Sequence, residues 1–351
     1  MPPHDSEQTW NGSAGDVDGA TLLVTGATGV VGAELTRIAR ARGWEVVGCS
    51  RRGGDGVISW DLSEPAPASL RRPWDAIVHA AAKPHWRLPK DVAWAMNTAP
   101  VDRVVELASA STHLVLVSTM YATGLRGAAR STDLADYRNT YEWSKAAAEL
   151  RMMDRLPGHT VVRPPLIIGR RPDGAVARFT GMYTFLGTLT SGQLPAMVAD
   201  PSAGMELVST TDVATCCLDA AASPRPDNRA LHVMGRGAAA HSLGDVLDAI
   251  QDAMNEWREA RGLQPLSWPR LISVEQWERF FKPMARKTFS SRQYRTIELL
   301  EPFVPYLSIA EAADVSWKVD PMLDCVGRCT TFWMDNNLDR ASRDPRSWSP
   351  S

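Results

Sequence analysis

Tyr141, Glu142, Trp143, Ser144 and Lys145 set a phenol and an ammonium four positions apart. On a helix that spacing puts both side chains on one face, so they can share a cleft, and a nearby ammonium favours ionisation of a group that otherwise titrates near pH 10. Inert helix pairs have the same spacing, so the pair alone decides nothing. A second candidate is the run Thr25-Gly26-Ala27-Thr28-Gly29-Val30-Val31-Gly32. Glycines there let the chain turn tightly and let a pyrophosphate approach the backbone, while a following helix offers amide donors and a favourable dipole. Its G-x-x-G-x-x-G spacing departs from the G-x-G-x-x-G dinucleotide fingerprint, and a plain strand-to-helix turn is the competing reading. A third candidate is Ser50, Arg51 and Arg52, which end the next apolar run where an acidic residue would otherwise hold a ribose hydroxyl. Glu45 stands at the opposite end of that run. Arginine forks match phosphate oxygens, so the arrangement favours NADP(H) over NAD(H), although two surface arginines can also be merely solvated.

These groups need a scaffold that brings distant segments to one edge. From Thr21 onward, strand-like and helix-like segments alternate: 21–25, 30–43, 45–50, 75–82, 91–109, 113–119, 139–156 and 159–169. Short apolar runs between longer amphipathic helices predict an α/β fold, a doubly wound parallel sheet covered on both faces. After Gly169 the rhythm breaks into a Gly-rich, aromatic passage. From Ser242 the sequence reads as mainly helical. Residues 1–19 and 337–351 read as flexible tails.

Composition narrows the function classes. Apolar residues make up 44% and charged residues 22%, which fits a folded globular chain. The 38 basic and 40 acidic residues leave no global field for nucleic acid or an anionic membrane. Five cysteines, an odd number, two of them adjacent at Cys216 and Cys217, argue against a disulfide framework and for a reducing cytoplasm. Cys325 and Cys329 lack neighbours that would complete a zinc site, so no metal is expected. No secretory leader or membrane span is read in the sequence. A zinc-protease H-E-x-x-H, a G-x-S-x-G serine elbow and a Walker lysine are all missing, so hydrolysis and phosphoryl transfer lose support.

Taken in order, TGATGVVG, IVHAAA, LVLVSTMYATG, YEWSK and VVRPPLIIG resemble the extended short-chain dehydrogenase/reductase family over roughly residues 21–235. The segments RPPLIIGRRPDG, FTGMYTFLG and ELVSTTDVA look most similar to its fatty acyl-CoA reductase and thioester reductase branch. The resemblance implies a Rossmann-type NADP(H)-binding core over residues 20–170. Residues 171–336 would then be a mixed region with a smaller, mainly helical substrate lobe, part of 205–235 returning to the core.

The resemblance also assigns roles. Tyr141 would exchange a proton at a carbonyl oxygen, Lys145 would hold the nicotinamide ribose and lower the tyrosine pKa, and Thr119 would hydrogen-bond the reacting oxygen. Ser118 would support Thr119, a one-residue shift exchanging the two. Asn97 would hold a distorted turn or a water chain. The cofactor would meet Gly26, Thr28, Gly29, Val30, Val31, Ser50, Arg51, Arg52, Asp61, Leu62, Ala80, Ala81, Ala82, Ser118, Arg163, Pro164 and Pro165. His79 is read as structural. Around the substrate the candidates are Lys83, His85, Trp86, Met120 and Tyr121, Trp86 being placed to face an apolar or aromatic group.

The expected function is that of a cytoplasmic NADP(H)-dependent oxidoreductase acting on an aldehyde, ketone or acyl thioester. Its substrate would be an apolar or carrier-linked small molecule, with no nucleic acid or membrane partner, and a homodimer is compatible with this reading. A nucleotide-sugar epimerase or dehydratase would use the same three side chains. A dinucleotide-binding regulator without catalysis would have no need of them.

Overall fold

Alternation along each strand decides which side chains meet which helical layer. The computed structural model describes residues 17–125, 131–191, 196–266, 268–290, 294, 301–307, 309 and 311–344. Its strands are β1 (Thr21–Thr25), β2 (Glu45–Ser50), β3 (Val57–Ser59), β4 (Ala76–His79), β5 (His113–Val117), β6 (Thr160–Arg163), β7 (Leu166–Ile168), β8 (Ala196–Val198), β9 (Gly204–Met205), β10 (Leu207–Ser209), β11 (Ala230–Gly235), β12 (His241–Ser242), β13 (Arg270–Ile272) and β14 (Trp317–Lys318). The principal helices are α1 (Val30–Ala41), α2 (Lys90–Asn97), α3 (Pro100–Val105), α4 (Thr140–Arg155), α5 (Met182–Leu189), α6 (Thr210–Ala222) and α7 (Leu243–Glu259), followed by a further helix over Leu323–Asp335.

Eight strands form one parallel sheet in the order β14-β11-β6-β5-β4-β1-β2-β3. Leu22, Val24, Val78, Val115 and Val117 point to the face covered by α1 and α6. Their neighbours Leu23, Ile77, Leu114, Leu116 and Val161 point to the other face, where they pack with Val101, Val104, Ala148 and Met152 of α3 and α4. This period-two partition is what a sheet buried on both faces requires. The strand order reverses between β1 and β4, which opens a crevice at the carboxyl ends of the strands.

Prolines explain two departures from the expected elements. The single helix expected over 91–109 is two, because Pro100 opens α3 and has no N–H to return to the preceding turn. Likewise Pro164 and Pro165 end β6, and the chain then pairs as β7 with β10 outside the main sheet. The strands β3 and β14, three and two residues long, are too short to announce themselves by periodicity.

The second half has its own core. Met182 and Leu186 of α5 and Leu243, Val246, Ile250, Met254 and Trp257 of α7 pack with Val326, Cys329 and Trp333 of the helix Leu323–Asp335. The region is mixed, since β11 and β14 return to the main sheet. The expected tails are partly outside the described residues, at 1–16 and 345–351. Within 337–351, however, Leu338–Ala341 is helical, and the buried Arg258 donates to the carbonyls of Ala341 and Arg343, so that stretch is fastened to α7. All five cysteines are buried free thiols. Among the described residues no helix is long and apolar enough to cross a membrane.

Candidate active site

The parallel register sets the ends of β1, β4 and β5 side by side, Thr25 opposite His79 and His79 opposite Leu116. At this edge Gly26 adopts φ +72°, and a Cβ there would lie 2.8 Å from the backbone of Ala81. A Cβ on Gly32 would lie 2.2 Å from the Gly26 carbonyl oxygen. Only glycine lets the first turn, the α1 terminus and the Ala80–Ala81 backbone approach so closely. The N-terminus of α1 carries no side-chain cap at Gly29, so its amides stay available, with Val30 and Val31 in the first turn. Here the glycine turn fits a pyrophosphate. Thr28 Oγ1 accepts from Arg178 Nη2 at 3.4 Å. Arg178 lies far along the chain, and no spacing rule would have singled it out.

His79 is fully buried, and its Nδ1 lies 2.7 Å from Thr25 Oγ1. Burial first, and the Lys145 charge second, pull its pKa down to about 3, so the ring is neutral and serves as packing. The Lys145 contribution also places the ammonium close to the β4 end. Lys145 itself is 1% exposed, and among the described residues its ammonium makes no hydrogen bond. Burial lowers its pKa to about 8, against a raising influence from Glu149. A buried cation in this position is costly unless something polar comes to it, so the site fits a ribose diol.

Tyr141 is the second residue of α4, after the cap residue Asn139, whose side chain accepts from Glu142 N at 3.0 Å. The residue is partly exposed. Its pKa is pushed up to about 12 by burial and then by the neighbouring Glu142 carboxylate. This corrects the expectation that Lys145 primes the phenol: no lowering by Lys145 offsets those two effects.

Thr119 and Ser118 differ sharply in environment. The Ser118 hydroxyl donates to Glu149, which also takes Arg163 Nε at 2.9 Å and Nη2 at 2.6 Å. Ser118 and Arg163, both expected at the cofactor, are therefore held in a buried structural network, and from the 163–165 segment only backbone and the Pro164 and Pro165 rings remain to face a ligand. Thr119 caps the short turn Met120–Thr123, which packs on α4, and its oxygen accepts from Tyr121 N at 3.5 Å. Met120 N donates to Pro164 O at 2.9 Å, fixing Thr119 against the β6 end. Glu149→Ala should destabilise the protein by about 3–5 kcal/mol, because Arg163 is left as an uncompensated buried charge. Urea unfolding measures this, and a joint Glu149→Met, Arg163→Met replacement should recover much of the loss.

The other predicted residues divide between binding surface and framework. Asn97 Oδ1 accepts from Lys83 N at 2.7 Å, and its Nδ2 donates to Ser144 Oγ at 2.9 Å. With both ends of its amide engaged, Asn97 braces the loop after β4 against α4. Lys83 and His85 are exposed, and His85 Nδ1 accepts from Arg87 N at 3.2 Å. Ser50 is half-buried and donates to Gly53 O at 3.5 Å, whereas Arg51 and Arg52 are exposed beyond β2. Asp61 is held by the amide of Ser63 at 3.0 Å, which with the Ser63 hydroxyl lowers its pKa, and Leu62 packs on the core. Ala80 and Ala81 are half-buried and Ala82 is exposed. Met120 is buried and so leaves little surface for a substrate.

An aromatic cluster lies near the start of α4. Trp86 stacks on Tyr306 with centroids 5.0 Å apart and meets Phe303 at 4.7 Å, while Tyr121 meets Tyr306 edge-on at 4.8 Å. The Tyr306 hydroxyl donates to Glu142 and takes Asn139 Nδ2 at 2.6 Å. Arg138 faces Glu142 at 3.5 Å and lies over both tyrosine rings. Trp86 thus packs against a short turn, Glu301–Tyr306, that comes from the far end of the chain. Tyr306, Phe303 and Arg138 carry no motif, and Glu142 was hidden inside one.

A family model named NAD_binding_4 and described as "Male sterility protein" matches residues 58–217. No curated protein matches the chain. The terminal R domain from the myxalamid PKS-NRPS biosynthetic pathway superposes with a TM-score of 0.65 at 15% identity, covering 93% of each chain. The chain has the fold of the extended short-chain dehydrogenases/reductases. A thiolation-reductase di-domain from an archaeal non-ribosomal peptide synthetase gives 0.62 at 15% identity, covering 92% of this chain and 76% of that one. The Bordetella bronchiseptica enzyme WbmH in complex with NAD+ gives 0.62 at 15% identity, covering 90% and 98%. At such identities the likeness concerns the extended short-chain fold, and roles within it rest on the side chains described above.

Proposed function

We propose that this chain is an NADP(H)-dependent oxidoreductase that reduces the carbonyl carbon of an aldehyde, ketone or acyl thioester. The observation that carries this reading is the pairing, one helical turn apart, of a partly exposed Tyr141 with a buried Lys145 whose ammonium has no partner among the described residues. When bound at the glycine turn, the dinucleotide would supply the hydride. Lys145 would take the ribose hydroxyls, and the Pro164–Pro165 segment would border the nicotinamide. Thr119, whose oxygen accepts from backbone and whose proton is left to donate, would hydrogen-bond the substrate oxygen beside Tyr141 as negative charge develops. Tyr141 would then give that oxygen its proton. A phenol held near pKa 12 stays protonated at neutral pH, which suits a proton donor and hence the reductive direction.

Arg51 and Arg52 support the choice of NADP(H). Exchanging both for Glu should lower the preference for NADPH over NADH by roughly 10- to 100-fold, the worth of a charge-assisted phosphate contact. Dissociation constants for the two reduced cofactors measure this, and tighter binding of NADH by the unaltered protein would overturn the assignment. A carrier-linked substrate draws support from the thiolation-reductase likeness. The nucleotide-sugar reading has on its side a likeness to a UDP-N-acetylglucosamine 4-epimerase, with a TM-score of 0.63 at 13% identity. Net loss of NADPH absorbance with an aldehyde tests the reductase reading. Cofactor that copurifies and is never consumed would replace it with the epimerase.

A further inference from the structure

Glu142 follows the proposed proton donor directly and is 1% exposed. Its carboxylate is held from two sides. Arg138 donates its backbone N–H to Oε2 at 3.1 Å and sets its guanidinium 3.5 Å from the same oxygen. The Tyr306 hydroxyl donates to Oε1 and accepts from Asn139 Nδ2 at 2.6 Å. Asn139 Oδ1 accepts in turn from Glu142 N at 3.0 Å, which closes a ring of hydrogen bonds through three residues. Two of them cap and open α4, and the third comes from the turn Glu301–Tyr306. Tyr306 is itself clamped, buried with its ring stacked on Trp86 and edge-on to Tyr121. Its single hydroxyl proton is committed to Glu142.

A carboxylate fixed in a buried setting is weakly screened, and a second negative charge beside it is disfavoured. Arg138 and Asp136 precede α4, and Lys145 lies one turn on. Tyr121 faces the same point from the turn after β5, Lys90 from α2, and Lys83 and His85 from the loop after β4. Among all these charges the one that opposes ionisation of Tyr141 is Glu142. Burial pushes the Glu142 carboxyl up, and the Tyr306 hydrogen bond is the largest influence holding it down. Without that bond Glu142 would take up a proton or turn outward, and its hold on Tyr141 would weaken either way.

We propose that Tyr306 is a positioning residue for Tyr141: by fixing the Glu142 carboxylate, it couples the seating of the turn Glu301–Tyr306 on α4 to the readiness of the proton donor. This deepens the reductase reading and rests on it for the use made of the proton.

The test is made on the full chain with tyrosine labelled by 13C at Cζ, whose resonance reports phenol ionisation without any turnover. Tyr141→Phe identifies the Tyr141 signal among the six tyrosines. With the phenol pushed up to about 12, about a tenth of it should be ionised at about pH 11. Glu142→Gln, which keeps an acceptor oxygen and removes the charge, should raise that to about half. Tyr306→Phe, which removes one hydroxyl 164 positions from Glu142, should raise it at least about twofold. Circular dichroism at the same pH identifies folded variants. With NADP+ and benzyl alcohol at neutral pH, Glu142→Gln should also quicken oxidation about 10-fold, in step with the phenolate population. A Tyr141 signal unmoved in both folded variants would overturn the proposal. So would a signal moved by Glu142→Gln and not by Tyr306→Phe, since Glu142 would then act without the turn. A signal moved by both, with no NADPH consumed by a series of aromatic and aliphatic aldehydes, would keep the positioning role and remove the reductase reading. Aldehyde turnover with an unmoved signal would do the reverse.

Discussion

Tyr141→Phe is expected to bind NADPH as the unaltered protein does and to turn over roughly 100- to 10,000-fold more slowly, the range lost with a general acid. The substitution keeps the ring at the start of α4 and removes only the hydroxyl. The helix start is secured independently by the Asn139 cap and by Trp143 and Ala146, which pack with Ala93, Ala122 and Tyr137. Cofactor affinity by fluorescence and single-turnover rates separate the two effects. Normal turnover would remove Tyr141 from the chemistry. Loss of NADPH binding as well would point to a role in building the cofactor site instead. Because burial and Glu142 hold the phenol near pKa 12, the oxidative direction should be slow at neutral pH and should quicken with alkalinity more than the reductive one does.

Lys145→Met is expected to abolish most turnover and, in the cofactor-free protein, to raise stability at pH 7 by about 3 kcal/mol. The ammonium is drawn from 10.5 to about 8 by burial in the folded chain. Between those two values the unfolded chain binds more protons than the folded one, so unfolding becomes harder as pH rises across the window. Below pH 8 the cost of the buried charge is fully present, and above pH 10.5 it is gone. Urea titrations at pH 7 and 10 should therefore show the variant's advantage shrinking with alkalinity, and at pH 7 it corresponds to about 4 °C in melting temperature for a chain of this size. A variant less stable than the parent at pH 7 would contradict the burial cost assigned to Lys145. Paired with lost turnover, the expected gain is what a residue kept for function at the expense of stability should give.

Much of the core was legible because strand and helix periods are local. Apolar runs such as 21–25 and 113–117 are buried on both faces and flanked by amphipathic helices, so alternation alone announces a parallel sheet. The glycine turn was legible for a similar reason, since a positive φ, and a backbone that an added Cβ would meet at 2.8 Å, leave only one residue type acceptable at position 26.

What lay beyond local reading is the pairing of polar atoms across long stretches of chain. Whether a hydroxyl or guanidinium faces a ligand or a buried partner depends on where its segment docks. Ser118 and Arg163 look like site residues in one dimension, and only folding brings Glu149 to both. The Lys145 environment, the Asn97 brace and the Tyr306 contact with Glu142, 164 positions away, likewise exist only once the sheet and lobe have closed. By itself, then, the sequence determined the layered α/β scaffold and the residue types at the candidate site along its edge, because both follow from period and backbone conformation. Tertiary structure alone decided which of those residues stay free for chemistry, because buried charges and donors take whatever partner the fold supplies.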